Sequence, residues 1–366
     1  MSVPSHTLFK RDLFSDPKPH FYVTSDEVGR MVENLLSIYY PQIGNQIGEI
    51  YQSGSIELNS NNFLVDIGQN RLIVKRIPVA RNNRDNLMRQ IMLSNWLSGK
   101  GLPVPFIYES VNGNLLNEFD GWLWCVLDFV DGAYFCGSKD ELEDAVDIVK
   151  RLFLVFRDVP DDIFVNQQIN PPGEADQKLV MDLETVQRKW SSLFGAEHAA
   201  LIGCALPEIK KNLRTLLTCR DTLMEGMGLC HIDMHPHNLI MQNKKVAAIL
   251  DCASYLTAPV EVIIAFNLFK LLRQRAVIMD KEFDKSVIVN MCSQIVGMLS
   301  TVGLISKQNL ERMAFLAKVE IMRRLLLIIR MTLEQGDCSW NHVLPVQIVA
   351  LTEAEILFDF SILSVQ

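Results

Sequence analysis

Residues 229–251 read LCHIDMHPHNLIMQNKKVAAILD. The stretch holds His231, Asp233, His235, His237 and Asn238, then a turn-like QNKK between two short apolar runs, and it ends on Asp251. Apolar runs at 239–241 and 246–250 around so short a polar turn predict a tight β-hairpin. Such a hairpin carries Asp251 back beside the loop that bears Asp233 and Asn238. A phosphoryl-transfer site needs one carboxylate to accept a hydroxyl proton, and an amide with a second carboxylate to hold Mg²⁺ against nucleotide phosphates. Asp233, Asn238 and Asp251 are of those types and stand in that order.

The pattern H-x-D-x-H-x-x-N, followed by an apolar strand and an Asp, resembles the catalytic and metal loops of the aminoglycoside phosphotransferase and choline kinase superfamily, relatives of the protein kinases. The resemblance extends upstream in order. A strand lysine at Lys75 lies in an apolar I-V-K-R-I context, a helix at 84–98 is followed by GLPVP, and WLWCVLDFVDG at 122–132 reads as a buried strand leaving through a glycine. The resemblance implies an α+β, two-lobed protein-kinase-like fold. Residues 1–130 then form a nucleotide-binding lobe with an antiparallel sheet and helix, preceded by a leader over 1–23, and residues 131–366 form a larger, mainly helical lobe carrying the catalytic and metal loops and the acceptor site.

Local patterns fill in this frame. Thr24-x-x-Glu27 reads as a capping box, and Val28, Met31, Val32, Leu35 and Tyr39 recur at helical spacing to about residue 40. From 47 to 76 the pattern changes to short strand-like pieces, with a GQN turn, that predict an antiparallel sheet of at least three strands. Ser138-x-x-Glu141 opens a second helix, whose stripe runs through Leu142, Ala145, Val149, Leu152 and Phe156. Residues 160–175 read as a loop, 176–194 and 207–225 as helices, 253–259 as a loop, and 260–275, 281–301 and 306–335 as helices, the last ended by Gly336.

Composition narrows the function. A net charge of -8 offers no basic face to a phosphate backbone, which excludes nucleic acid as the main partner. The eight cysteines include no C-x-x-C pair and read as reduced core packers of a cytoplasmic protein. No segment is an uninterrupted apolar membrane span, and the N-terminus has no secretory h-region. The partners expected are therefore a nucleotide and a small-molecule acceptor.

By the resemblance, Asp233 is the catalytic base for the acceptor hydroxyl, and Asn238 and Asp251 are the Mg²⁺ ligands. Lys75, Gln90, the backbone of Asp128 to Val130 and His231 fall on the ATP side. His231 and His235 are also expected to hydrogen-bond the loop. A zinc site built on His231, His235 and His237 is the alternative reading of the histidines. Candidate acceptor-lining groups are Asp161, Asp162, Tyr255, Glu261, Trp340 and His342. Three features depart from the family pattern: Gln90 where the family has the Glu that pairs with the strand lysine, a glycine-poor phosphate loop at 54–62, and Ile232 where a small or polar residue is usual. The function implied is ATP-dependent transfer of the γ-phosphate to a hydroxyl of a small molecule, with a sugar or polyol preferred over an amino alcohol or an aminoglycoside. The alternative is a catalytically degenerate pseudokinase that binds nucleotide and serves as an interaction module.

Overall fold

The computed structural model describes residues 9, 18–44, 46–53, 61–79, 83–185, 192–279 and 284–361. Two compact units are present: Phe14–Gln167 with Asp233–Leu256, and Met1–Leu13 with Gln168–Ile232 and Thr257–Gln366. In chain order the elements are β1 (Phe21–Val23), α1 (Asp26–Tyr39), α2 (Pro41–Gly44), β2 (Ile47–Ser53), β3 (Asn62–Ile67), β4 (Asn70–Pro78), α3 (Arg84–Gly99), β5 (Ile107–Tyr108), β6 (Asn117–Phe119), β7 (Trp122–Asp128), β8 (Ala133–Tyr134) and α4 (Lys139–Val155). They continue with α5 (Glu174–Thr185), α6 (Ala196–Glu225), β9 (Met227–His231), β10 (Leu239–Gln242), β11 (Lys245–Ile249), β12 (Tyr255–Pro259), α7 (Val260–Met279), α8 (Lys285–Thr301), α9 (Met313–Gln335) and α10 (Leu344–Leu357).

The first unit is built on an antiparallel sheet of order β1-β2-β3-β4-β7-β5, with β6 also pairing β7. Side chains alternate across such a sheet, so register decides which face each residue meets. Val74 is paired with Phe63 and Val126, and all three lie in the core that holds Val32, Leu35, Leu36 and Tyr40 of the α1 segment. Lys75, one residue on, is opposite Cys125 and therefore on the other face, where Ile77, Leu123 and Cys125 pack with Leu87 and Ile91 of α3. A slip of one residue would move the lysine to the α1 side.

Helix starts follow side-chain chemistry, and one of the two expected boxes is absent. At α4, Ser138 Oγ accepts from the Glu141 N–H at 3.4 Å, and the Glu141 carboxylate accepts from the Cys136 N–H at 2.9 Å. At α1 the N-cap is Ser25, with no side-chain cap bond, and Thr24 Oγ1 instead donates to the Ile50 carbonyl at 3.1 Å. The neighbouring strand β2 thus captures the hydroxyl that the sequence pattern assigns to the helix.

The second unit is mostly helical. Its helix α6 runs unbroken through Pro207, where a start near 207 was expected. Proline removes one backbone donor, but buried Ala199, Ile202, Leu206, Ile209, Leu213 and Leu216 hold one continuous face on both sides of it. Residues 253–259, expected as a loop, include the fully buried strand β12, which pairs with β9. The expected helix over 306–335 begins as a 3₁₀ segment, Lys307–Arg312, before α9, and Gly336 closes it at φ 67° as a left-handed C-cap. No helix among the described residues is long and apolar enough to cross a membrane. None of the eight cysteines forms a disulfide; Cys125, Cys230 and Cys292 are buried core packers, whereas Cys136, Cys204 and Cys338 are exposed.

Candidate active site

Lys75 and Asp251 meet although they lie 176 residues apart: Nζ donates to Oδ1 at 3.0 Å. Burial alone would lower the lysine's pKa, but the Asp251 carboxylate, together with the Cys252 and Cys125 side chains, more than offsets this, and the pKa is raised. Asp251 has φ 64°, a left-handed conformation that costs a non-glycine residue energy and is often retained at functional sites. Its other oxygen accepts from Ser254 Oγ at 2.6 Å, so both ends of the carboxylate are oriented from within this unit.

Gln90 takes a different place from the one its alignment suggests. It is buried on α3, and its amide donates to the Ala253 and Tyr255 carbonyls at 2.9 Å each. Both N–H donors are engaged by the segment after Asp251, and the partner of Lys75 is Asp251. Gln90 therefore supports the backbone that follows Asp251 and, in this structure, does not pair with Lys75.

The hairpin that should return Asp251 to the catalytic loop is present. β10 and β11 pair antiparallel around Asn243 and Lys244, whose φ values of 49° and 64° mark a type I′ turn. At its base the Leu250 N–H donates to the Asn238 carbonyl at 2.8 Å, and the Ile249 N–H to Pro103 of the GLPVP stretch at 2.7 Å. Within the loop, the Asp233 carbonyl accepts from the His235 N–H at 3.0 Å and from Asn238 Nδ2 at 2.8 Å. The second bond fixes which end of the Asn238 amide is nitrogen and directs its oxygen elsewhere.

His235 Nδ1 accepts from the His237 N–H at 3.2 Å. A neutral ring then carries its proton on Nε2, which lies 3.6 Å from Asp233 Oδ2, an electrostatic contact and not a hydrogen bond. His237 packs edge-on against Tyr134 at 4.9 Å. No group of three or more His, Cys, Asp or Glu among the described residues could hold a metal ion. The oxygen pair of Asn238 and Asp251 suits a hard cation such as Mg²⁺, which is commonly held by one or two carboxylates together with substrate phosphates.

Two carbonyls just before Asp233 are held by side chains that sequence reasoning missed. The His231 carbonyl accepts from Asn267 Nδ2 of α7 at 3.0 Å, and the Ile232 carbonyl from Arg324 Nη2 of α9 at 2.6 Å. His231, expected on the ATP side and as a hydrogen-bonder of the loop, is fully buried. The only signal for Asn267 and Arg324 was that polar groups interrupt otherwise apolar helices, a pattern many buried residues share.

Asp128 ends β7 with its carboxylate turned toward the sheet edge, accepting from Tyr108 Oη at 2.5 Å and the Phe106 N–H at 3.3 Å. The side chain is thus occupied, and a nucleotide role would fall to the backbone of 128–130. Gly132 then leads into β8 at φ 155°, and a Cβ there would lie 2.6 Å from the Met241 carbonyl and from Ile240. Most of the phosphate-loop expectation, 54–60, lies outside the described residues.

The acceptor candidates are divided between the two units, with Asp161, Asp162 and Tyr255 in the first and Glu261, Trp340 and His342 in the second. Tyr255 is buried edge-on against Phe156, its hydroxyl pKa raised by burial. Glu261 accepts from the Ser306 N–H and from Asn309 at the start of the 3₁₀ segment. Asp161 and Asp162 offer backbone carbonyls to Arg89, while Trp340 is partly exposed and stacks on His342. Burial and prior bonding, which sequence does not display, remove Tyr255 and Glu261 from the acceptor set.

Residues 56–262 match the phosphotransferase enzyme family, more than half of the chain. No curated protein matches it. Among solved structures, spectinomycin phosphotransferase APH(9)-Ia in complex with ADP and spectinomycin is similar at a TM-score of 0.57 and 13% identity, over 90% of this chain and 97% of that one. The amicoumacin kinase hAmiN, with AMP-PNP and Ca²⁺, gives 0.54 and 15% over 91% and 93%. The choline kinase LicA from Streptococcus pneumoniae gives 0.52 and 16% over 88% and 98%. At such identities the likeness shows the fold, a kinase-like α+β fold. From the family match over residues 56–262, the chain belongs to the phosphotransferase enzyme family and is a kinase for a hydroxyl acceptor.

Proposed function

We propose that the protein moves the γ-phosphate of ATP to a hydroxyl of a small molecule. Asp233 accepts the hydroxyl proton, Asn238 and Asp251 hold Mg²⁺, and Lys75 neutralises phosphate charge. In this reading residues 1–130 form the nucleotide lobe, residues 131–366 the acceptor lobe, and the backbone of Asp128 to Val130 meets the adenine edge. The observation that carries the proposal is the 3.0 Å pair of Lys75 and Asp251. Two opposite charges from distant parts of the chain, half-buried on the α3 face, have no packing reason to meet there. Each is the group that phosphates and a metal would require, and each neutralises the other until those ligands arrive.

When bound, Mg²⁺ offsets the negative charge on the phosphates during transfer. The chain's own task is positioning. Ser254 and the left-handed backbone aim Asp251, Asn238 ties itself to the Asp233 carbonyl, and the hairpin base joins Asn238 to Leu250. Among acceptors, a sugar or another polyol is our reading. Its support is the sequence, in which 5 Trp, 7 Tyr and 18 Phe are spread thinly, whereas a quaternary ammonium acceptor calls for an aromatic cage.

The test is Mg²⁺-dependent ATP turnover against pooled sugars and polyols, amino alcohols and aminoglycosides, with Asp233→Ala in parallel. Stimulation by one pool, reduced at least about 10²-fold in the variant, supports the proposal, and deconvolution names the acceptor. Stimulation by amino alcohols alone would refute the polyol preference. Silence in all pools, with a nucleotide-dependent rise in melting temperature that Asp251→Ala abolishes, would favour the nucleotide-binding module instead. Gln90 is the feature that keeps that second reading in view, because an amide leaves Lys75 without the usual helix carboxylate.

A further inference from the structure

We infer that Arg324 is a positioning residue for the reaction: from α9 it fixes the peptide plane from which Asp233 hangs. The inference rests on the reading of Asp233 as the acceptor-side base. The Ile232 carbonyl and the Asp233 N–H belong to one planar peptide unit, so gripping the oxygen at 2.6 Å orients the whole unit. The next peptide unit is held as well, because the Asp233 carbonyl accepts from His235 N–H and Asn238 Nδ2. The peptide plane before Asp233 is thus gripped from α9, and the carbonyl after it is held within its own loop.

Arg324 is itself constrained on three sides. Its guanidinium lies 4.5 Å over the Phe266 ring. Its Nε donates to Glu320 Oε1 at 2.8 Å, and Nη2 reaches the Ile232 carbonyl. Glu320, almost wholly buried, is clamped from the other side by Arg323, which donates from Nε and Nη2 at 2.7 Å each. A planar fork can stack, pair and donate at once, whereas a lysine ammonium has no face to stack and a single donor point. Asn267, next to Phe266 on α7, holds the preceding carbonyl of His231, so the approach to Asp233 is gripped at two successive residues.

The device does not depend on the side chain at Ile232, where the family usually has a small or polar residue. What the site uses of Ile232 is its backbone oxygen. A charge-assisted bond to a guanidinium fixed by ring and carboxylate is a stiffer restraint than a neutral one.

The experiment measures kcat and KM for ATP with the acceptor pool that stimulates the wild type, in Arg324→Lys, Asp233→Asn and the double variant. Arg324→Lys keeps a cation beside Glu320 and should retain the fold, with kcat reduced about 10-fold to 10²-fold and KM for ATP within about twofold of wild type. Because Arg324 acts through Asp233, adding Arg324→Lys to Asp233→Asn should lower the residual rate by less than about twofold. A merely structural arginine would reduce that residual rate by the same factor as in the wild type, and this result would overturn the inference. So would wild-type kcat in Arg324→Lys. If Arg324→Lys melts below the assay temperature, Glu320→Gln with Arg324→Met removes the buried pair together, and the same comparison decides. A wild type silent with every pool sinks the reading of Asp233 and this inference with it, whereas an active wild type with an indifferent Arg324 sinks the inference alone.

Discussion

The 3.0 Å pair of Lys75 and Asp251 joins a strand cation to the carboxylate that follows the hairpin. Gln90, His231, Tyr255 and Glu261 are of the residue types expected of them, but their donors, acceptors or surfaces are engaged within the structure. The Lys75 pair carries a pH prediction. Its folded pKa is raised above 10.5, so its contribution to stability is full below that value and fades only as pH rises through the higher, folded one. Lys75→Met should cost about 1–2 kcal/mol, because the pair is only partly buried. That cost should stay constant from about pH 6 to pH 9. Urea unfolding of both proteins across the range checks this, and a difference that shrinks before pH 9 would show that Lys75 is not held in its charged form. Gly132 gives a second residue-scale prediction. At φ 155° and with a Cβ position 2.6 Å from the Met241 carbonyl, Gly132→Ala must move β8 away from β10. A loss of at least about 2 kcal/mol is expected, and a melting temperature equal to wild type would refute the contact.

Elements were read well where one local signal decides them and poorly where two compete. The hairpin of β10 and β11 was plain because apolar runs flank a short polar turn, and α4 was plain because Ser138 has no rival for the Glu141 N–H. Thr24 shows the opposite case: the same motif stands in the sequence, but β2 supplies a carbonyl that its hydroxyl prefers. Strand β12 was missed because five residues with no alternation of burial offer no period to detect. The hairpin turn itself is testable. Lys244 sits at φ 64°, a position that favours glycine, and its compensation is an exposed ion pair with Asp140 at 2.5 Å. Left-handed strain of about 1–2 kcal/mol at a non-glycine residue is set against an ion pair that water screens. Lys244→Gly should therefore raise the urea midpoint slightly, glycine's freedom in the unfolded chain taking back part of the relief. A lower urea midpoint would mean that the ion pair outweighs the turn.

For the whole molecule, the order of strand lysine, helix, buried strand, H-x-D-x-H-x-x-N loop and hairpin aspartate resembles the family that residues 56–262 match. What the order could not reveal is how the helical unit stabilises charges in its interior. The segment at 306–335 reads as apolar nearly all round, yet α9 buries Lys318, which pairs with Glu208 and Glu355, and Glu320, which pairs with Arg323 and Arg324; Arg273 of α7 is buried with Glu353 of α10. Hydropathy averages hide such groups because apolar neighbours surround them in the chain, Ala317 and Val319 around Lys318 and Val319 and Ile321 around Glu320. Glu320 turns this into a measurable property. Burial raises its pKa, but Arg323 and Arg324 more than reverse that, so the folded value lies below the ordinary 4.5. A depressed carboxylate contributes stability above its unfolded pKa and loses it as pH falls through the folded one. Glu320→Gln leaves two guanidinium groups without their carboxylate and should cost about 3–5 kcal/mol near neutrality. That cost should begin to shrink only below about pH 4.5, as the wild-type carboxylate takes up its proton and comes to resemble the amide. Denaturant unfolding of both proteins, stepped from pH 7 to pH 3.5, reads the difference directly. A penalty that is small at pH 7, or that is unchanged at the lowest pH, would mean that Glu320 does not hold the two arginines as an ionised partner. The grip of Arg324 on Ile232 would then have to be stabilised by the Phe266 stack alone.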